Sequence, residues 1–306
     1  MKKFALAFTN VLVIWTLSVT AQVDVLTQHN DLNRTGFNSQ ETLLNTKNVQ
    51  PGSFAKLFAC ALDDQVYAQP LVATAINLPS VGTRDVLFVA TVNNSVYAFD
   101  ADSARQGGAY WHVNLTPSGT RPPQNSDYAP PLCGFTYNDF QGKFGIVGTP
   151  VIDKTAGIIY LVSRSVSLDG HNTFVQYLHA LDITTGADKA GSPVIITAQV
   201  NGVGYDNTSV NGVVSFDPMK QNQRPGLLLL NGIVYIGYAS HCDWDAYHGW
   251  LLGYDATTLQ QKIVYNTTPG AGRGGIWMSG GGPAADALGN IYVGTGNGSE
   301  IGRAHV

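Results

Sequence analysis

A short pattern recurs along the chain and constrains its fold more than any other feature. Each copy has a segment rich in Val, Ile, Leu and Tyr, a turn or loop, and a second apolar segment that ends in aspartate. These aspartates are Asp100, Asp182 and Asp255, and a fourth copy begins at Gly289. Because β-branched and aromatic residues between turn residues favour short strands, each copy predicts a β-hairpin. We therefore expect a chain built from repeated sheet units.

Further apolar segments flank each hairpin, so that each unit has four candidate strands, A to D. The candidate A strands, which precede the hairpins, are residues 69–73, 148–153, 225–230 and 282–286. Candidate D strands, which follow the aspartates, include residues 110–114 and 262–265. Four short strands per repeat are typical of a propeller blade, whereas a β-sandwich would not repeat its motif. We predict an all-β chain, a β-propeller of four-stranded blades, with about four blades present of a larger ring of seven or eight.

Composition agrees with this prediction and excludes some classes of function. Gly is abundant at 34 residues, and charged residues make up 12% of the chain, about half the usual ~25%. The formal net charge is -4 and no run of Lys or Arg could neutralise a phosphate backbone, so we expect no nucleic-acid partner. After the first residues no segment has 18 consecutive apolar residues, so no membrane span is predicted.

The first residues have the pattern of an export signal. Lys2 and Lys3 precede an apolar stretch that ends in small residues, which predicts a signal peptide over residues 1–21. The alternative is a membrane anchor, but the apolar stretch is shorter than the ~20 residues that a spanning helix needs. We expect a secreted or periplasmic protein. Export would permit one disulfide bond among Cys60, Cys133 and Cys242, although the sequence leaves open whether any two of them pair.

The remaining chain divides into three parts. Residues 22–53 form an N-terminal segment that leads into an incomplete propeller domain over residues 54–299. Within that domain, residues 54–62 resemble an isolated outer strand, which would complete the last blade and close the ring. The final residues, 300–306, are what a common sequencing-adapter sequence encodes, so we expect them to be a non-native tail.

Loop lengths predict that one rim of the propeller carries its function. The A to B turns are brief, whereas the D to A connections are long, at about residues 114–147, 198–225 and 266–282. The B to C loops open on the same rim, which we call the loop-heavy face. Because long loops on a rigid scaffold often bind ligands, we expect a small molecule, glycan or protein to bind this face near the axis. The alternative is a decorated surface without a ligand.

The B to C loop of the third unit has the most chemically suggestive side chains. Two imidazoles, a thiol and two carboxylates lie close together in sequence, namely His241, Cys242, Asp243, Asp245 and His248. The imidazoles or the thiol could hold a transition metal, and the carboxylates a hard cation. The alternative is that these side chains satisfy loop backbone groups while Trp244 and Tyr247 pack as a lid. The B to C loop of the second unit holds Arg164, Asp169 and His171, which we expect to be solvated.

The segments that end the repeats resemble the blade motif of the quinoprotein alcohol dehydrogenase-like propellers, also called PQQ-binding-like repeats. The matching segments are Ala98–Asp102, Ala180–Gly186 and Gly253–Thr258, and Gln28–Gly36 resembles the start of exported members. Together the matches cover about residues 28–298. Only the second copy keeps the family's Thr-Gly. The resemblance implies a propeller and an oxidation of alcohols or sugars that depends on pyrroloquinoline quinone (PQQ) and calcium.

The same resemblance implies site residues. The family binds calcium through a carboxylate of the equivalent B to C loop and through the Asn of a Gly-Thr-Gly-Asn motif. Gly294–Asn297 matches that motif, and Asp243 or Asp245 lies near the position of the carboxylate, so the implied metal ligands are Asp243, Asp245 and Asn297. The implied cofactor contacts are Asn297 and Trp277, although Trp277 could instead pack in the core.

The position of the family's catalytic aspartate falls after the last residue, so no catalytic residue is assigned and the missing aspartate says nothing about activity. One departure from the family does weaken the prediction of an enzyme. The adjacent cysteine pair common in the alcohol dehydrogenases is missing. We therefore predict a binding or interaction scaffold first, and a PQQ- and calcium-dependent dehydrogenase as the alternative.

Overall fold

The computed structural model describes residues 23–79, 81–128 and 136–298. The predicted signal peptide, the predicted non-native tail and Cys133 lie outside these residues. Within them the chain is all-β, with one 3-10 turn at Asn125–Tyr128 and no α-helix.

The strands are short and follow the repeat of the sequence. In chain order they are β1 (Leu71–Leu78), β2 (Gly82–Ala90), β3 (Ser95–Asp100), β4 (Trp111–Asn114), β5 (Thr120–Arg121), β6 (Val151–Asp153), β7 (Ile158–Ser167), β8 (Phe174–Asp182), β9 (Val194–Ile195), β10 (Gln199–Asn201), β11 (Ser209–Val210), β12 (Val213–Ser215), β13 (Gln221–Asn222), β14 (Leu228–Leu230), β15 (Ile233–Ser240), β16 (Trp250–Asp255), β17 (Gln261–Asn266), β18 (Ala284–Ala285) and β19 (Ile291–Tyr292).

Three antiparallel four-stranded meanders form the first three blades, and a hairpin begins the fourth. The strand orders are β1-β2-β3-β4, β6-β7-β8-β9 and β14-β15-β16-β17, and β18 pairs with β19. A small separate sheet, β10-β12-β11, lies in the connection between the second and third blades. The predicted propeller of four-stranded blades is therefore confirmed, while the closure of the ring and the total number of blades stay predictions.

Neighbouring blades pack face to face, so an inner blade buries both faces of its sheet. In β7, Leu161 packs in one cluster with Phe88 of the first blade, and its neighbour Val162 packs in another with Ile236 of the third. Successive side chains of a strand point to opposite faces, so the first half of β7, residues 158–162, is continuously apolar. This packing explains why the B strands have nearly continuous apolar sequences, and it differs from a sandwich of two sheets.

The inner A strands lie side by side, and the N-terminal segment runs along them. Backbone hydrogen bonds join these elements across the blades: Val72 N to Val25 O at 3.0 Å, Ile152 N to Leu26 O at 2.8 Å, Leu227 N to Thr149 O at 2.9 Å, and Ala285 N to Leu32 O at 2.7 Å. One segment thus reaches the first, second and fourth blades. The meanders therefore fan around a shared axis, as the repeat predicted.

The aspartate that ends each repeat has a structural role in the turn between strands C and D. Asp255 Oδ1 accepts hydrogen bonds from the backbone nitrogens of Thr257 and Thr258 at 3.0 and 2.8 Å. Asp182 accepts one from Thr184 N at 2.8 Å in the same way. A carboxylate that binds the amide two residues onward mimics a backbone turn, so the recurring aspartate reflects turn closure.

The prediction of an outer strand at residues 54–62 differs from the structure. These residues are in no strand. Instead, Cys60 and Leu62 pack against Val89, Tyr97 and Phe99 on the face of the first blade that points away from the second blade. A strand needs a paired neighbour, and no sheet edge among the described residues pairs with this segment.

Candidate functional site

The long connections and the B to C loops meet on one rim. The connection after the first blade adds β5 to the far end of β7, and the connection after the second adds β13 to the far end of β15. These additions extend β7 and β15 beyond the short A strands toward the loop-heavy face. Residues 241–249, the B to C loop of the third blade, lie against the connection that leads to the fourth blade, since Arg273 N donates to Tyr247 O at 2.7 Å.

A hydroxyl group links two of the predicted site residues, which come from different blades. Tyr247 is buried, and its hydroxyl donates a hydrogen bond to Asp243 Oδ1. The Asn297 side chain lies close enough to this hydroxyl to affect its pKa. Burial raises the pKa of Tyr247 far above its usual value, and the hydrogen bond and charge of Asp243 raise it further, whereas the contact with Asn297 lowers it. The hydroxyl therefore stays protonated, while Asp243 and Asn297 are exposed to solvent.

Trp277 lies beside this group of residues. Its ring meets that of Tyr247 edge-on, with centroids 6.0 Å apart and an interplanar angle of 81°. A Cβ atom on Gly296 would lie 3.1 Å from Trp277 Cδ1, so the second Gly of the Gly-Thr-Gly-Asn motif leaves room for the indole. The ring is partly exposed, and its buried Nε1 has no hydrogen-bond partner among the described residues.

Asp245, the second predicted carboxylate, is committed to an ion pair. Arg273 Nε lies 2.9 and 3.0 Å from its two carboxylate oxygens, and Arg273 Nη2 donates to Oδ2. The side chains are 38% and 30% exposed, so the pair is accessible to a ligand. The hydrogen bond to Asp245 and its charge raise the pKa of Arg273. The guanidinium is therefore charged at any physiological pH.

The backbone around these side chains is held in an uncommon conformation. Asp243, Arg273 and Asn297 have φ angles of 56°, 64° and 59°, in the left-handed region that non-glycine residues seldom adopt. Such conformations are found disproportionately at binding and catalytic sites, where the surrounding structure fixes them. We refer to Asp243, Asp245, Tyr247, Arg273, Trp277 and Asn297 as the axial site.

The structure overturns a transition-metal site at Cys242 and gives both imidazoles structural partners. Cys242 is disulfide-bonded and Cys60 is free. His241 is buried with Nδ1 2.7 Å from the Tyr137 hydroxyl, and burial lowers its pKa well below the usual value, with help from Arg164 and Arg224. A bonded sulfur cannot act as a thiolate ligand. Packing of the loop, the alternative that the sequence left open, thus accounts for this thiol and this imidazole.

His248 also joins loops. Its Nε2 lies 2.8 Å from Thr208 Oγ1 and its Nδ1 lies 3.1 Å from Thr268 O. These contacts connect the small sheet β10-β12-β11 with the connection that leads to the fourth blade. Both ring nitrogens are used, so His248 orders the rim.

The prediction for Arg164 is wrong. The sequence predicts a solvated loop residue, but Arg164 lies in β7 and is 3% exposed. Its Nη2 donates to Gln223 O, and its buried Nη1 has no partner among the described residues. Burial lowers its pKa to about 10, so it stays charged at neutral pH. The signal in the sequence is a charged residue within an apolar segment. Such a residue is worth testing as a buried one, because arginine is rarely buried without a partner.

The axial site does not fit calcium as it is arranged. Calcium takes six to eight oxygen ligands, about half of which are usually carboxylate oxygens. Here Asp245 is neutralised by Arg273, and one oxygen of Asp243 accepts from Tyr247, which leaves one carboxylate oxygen and the Asn297 amide. No group of three or more His, Cys, Asp or Glu side chains among the described residues is arranged to hold a metal ion. The roles of Asp243, Asp245 and Asn297 as calcium ligands, and of Trp277 and Asn297 in binding PQQ, stay predictions.

Comparison with known proteins was made by sequence and by structure. No protein-family model and no curated protein matches the chain by sequence. A search of solved structures found similarity to the crystal structure of quinohemoprotein alcohol dehydrogenase from Comamonas testosteroni, with 14% sequence identity and a TM-score of 0.40. The match covers 90% of this chain and 46% of that one, so the chain spans about half the length of this enzyme. Within its described part the chain has no helix that could cross a membrane.

Proposed function

We propose that this chain is an exported propeller that binds a ligand on its loop-heavy face, at the axial site. The observation that carries the proposal is the position of Tyr247, which is hydrogen-bonded to Asp243, lies close to the Asn297 side chain and packs edge-on against the partly exposed ring of Trp277. Ligand sites combine an apolar surface with a few convergent polar groups on a rigid scaffold. Here the polar groups come from two blades, and the scaffold is a packed β-sheet core.

Export is part of the proposal and has two supports. The leader has the pattern of a signal peptide, and Cys242 is disulfide-bonded. Disulfide bonds persist in the periplasm and outside the cell, whereas cytosolic proteins are kept reduced. Fractionation of producing cells, with a probe for the mature chain, tests this part directly.

A PQQ- and calcium-dependent oxidation of alcohols or sugars is the second candidate function. The observation that favours it is the placement of Trp277 against Gly296 of the Gly294–Asn297 motif, which sets an aromatic ring beside an amide. The ion pair of Asp245 with Arg273 weighs against it. Ligand binding without oxidation is therefore the favoured function.

One experiment separates the two candidates. The full-length protein is incubated with PQQ and Ca²⁺, passed through gel filtration, and assayed for quinone absorbance and for dye reduction with alcohols and aldoses. Retained quinone and turnover would establish the enzyme.

Without either, the scaffold is tested by a ligand screen that follows tryptophan fluorescence, with D243N and N297A as site variants. D206N is the control, because Asp206 is an exposed aspartate with a left-handed φ in a connection of the same face. A ligand whose binding responds equally to all three variants would place the site elsewhere.

A further inference from the structure

The charged groups of the axial site already have partners within the protein. Arg273 neutralises Asp245, and Tyr247 donates to Asp243. Another cation of this loop region, Lys220, donates from Nζ to the Ala246 carbonyl at 2.8 Å and lies over the Trp244 ring. Among the described residues of this region no unpaired cation remains to attract an anionic ligand, and the exposed carboxylate of Asp243 would repel one.

The hydrogen-bonding groups that remain are those that recognise hydroxyl groups. Asp243 Oδ2 can accept, Arg273 Nη1 can donate, and neither has a partner among the described residues, while the exposed Asn297 amide can do both. Donors and acceptors that lie side by side suit vicinal hydroxyl groups, each of which both donates and accepts. An exposed carboxylate, an amide and a guanidinium are all planar, and such groups bind in fixed directions.

The apolar part of the axial site is a single aromatic surface. The Trp277 side chain is partly exposed, and its ring contacts the ring of Tyr247 edge-on. An indole face buries a large apolar area against a flat partner. A pyranose ring has C–H groups on one face and hydroxyl groups around its edge, so it matches an aromatic surface bordered by planar polar groups.

We propose that the axial site binds a neutral saccharide directly, without a metal ion, with Trp277 against the sugar face and Asp243, Asn297 and Arg273 on its hydroxyl groups. This inference rests on the proposed function and names its ligand class. It differs from the dehydrogenase alternative because neither calcium nor quinone is needed. Because Arg273 neutralises Asp245, this carboxylate does not require a bound cation.

The test uses the full-length protein and a panel of neutral mono- and oligosaccharides, followed by calorimetry and by tryptophan fluorescence. Saturable binding is expected, weakened about tenfold or more in W277A and in D243N, because each removes a desolvated contact. W277F should recover part of the loss, since phenylalanine keeps an aromatic face. D206N should bind within about twofold of the unchanged protein, because surface changes outside a site have small effects. Binding is compared only between variants whose melting temperature equals that of the unchanged protein. If W277A does not fold, W277F replaces it as the test of Trp277.

Metal dependence is measured in the same samples. EDTA should leave the dissociation constants within about twofold, since no ligand contact passes through a cation. Tb³⁺, a probe for calcium sites, should show no luminescence sensitised by Trp277, and therefore no difference between the unchanged protein and W277F.

The contrary results are distinct. Loss of saccharide binding in EDTA with recovery in Ca²⁺, or Tb³⁺ emission that W277F abolishes, would overturn a metal-free site. Binding of PQQ that depends on Trp277, with no saccharide bound, would overturn the saccharide and leave the proposed ligand-binding face standing. If no ligand shows a dependence on Trp277 or Asp243, both the inference and the proposed function are wrong.

Discussion

Arg34 Nε donates a hydrogen bond of 2.9 Å to the carbonyl oxygen of Pro283, which joins the N-terminal segment to the residue just before the inner strand of the fourth blade. The same guanidinium donates from Nη2 to Leu227 O at 3.0 Å, at the inner edge of the third blade. Burial lowers its pKa to about 10, so it stays charged at neutral pH. One side chain thus joins three parts of the chain at the axis.

Replacement of Arg34 should destabilise the whole propeller. R34M removes charge-assisted hydrogen bonds to buried carbonyls, each of which contributes about 1.5–3 kcal/mol, so we expect a loss of about 2–4 kcal/mol in the free energy of unfolding. Urea unfolding followed by circular dichroism measures it. The matched control is R84M, because within the described residues the Arg84 guanidinium donates to the neighbouring Thr83 carbonyl alone. Equal losses in both variants would contradict the role of Arg34.

Two adjacent glycines should respond differently to alanine. A Cβ on Gly282 would lie 2.7 Å from the backbone oxygen of Gly226, whereas one on Gly281 would have an ordinary contact of 3.6 Å with Met278 O. Because backbone cannot move aside cheaply, G282A should cost about 1–3 kcal/mol, while G281A should be nearly neutral. Thermal unfolding of the two variants tests this, and a G282A variant as stable as G281A would show that the inner strands are not in close contact.

His241 should make stability fall on mild acidification. Burial lowers its pKa in the folded protein, so below about pH 6.5 the unfolded chain takes up a proton that folded His241 does not. The stabilisation that neutral His241 gives the folded protein is therefore fully present above that pH. It is lost as the pH falls toward the pKa of His241 in the folded protein. H241Q should reduce the slope of unfolding free energy against pH by up to about 1.4 kcal/mol per pH unit between pH 6 and 5.

The control for this slope is H171Q, because His171 is exposed on the same rim. It should leave the pH dependence unchanged. A slope that H241Q does not alter would mean that His241 is protonated in the folded state, or that its environment is more open than the packing around Tyr137 indicates.

The thiols should report the disulfide bond of Cys242. With a maleimide reagent under denaturing but non-reducing conditions, we expect one labelled cysteine, Cys60, in the unchanged protein. C60S should show none, and C242S should show two, because its former partner becomes free. The loss of the bond should also lower the free energy of unfolding by roughly 2–5 kcal/mol. Three labelled thiols before reduction would contradict the bond.

The elements that depend on local sequence were predicted well. Strand β3 ends at Asp100 and β8 ends at Asp182, as the repeat predicts. The strands were visible because each lies between turn residues and pairs with its neighbour along the chain. The loop-heavy face was predictable for the same reason, since a meander places alternate connections on opposite rims.

The chemistry of the rim depended on contacts between distant parts of the chain. Asp245 resembles a free ligand in the sequence, but Arg273 lies beside it, and the buried guanidinium of Arg164 donates to Gln223 O in the connection that leads to the third blade. The sequence determined the repeated meander because hydrogen-bonded neighbours and apolar periodicity are local. Only the tertiary structure decided which carboxylate stays available at the axial site, because ion pairs and burial are set by loops that converge from separate blades.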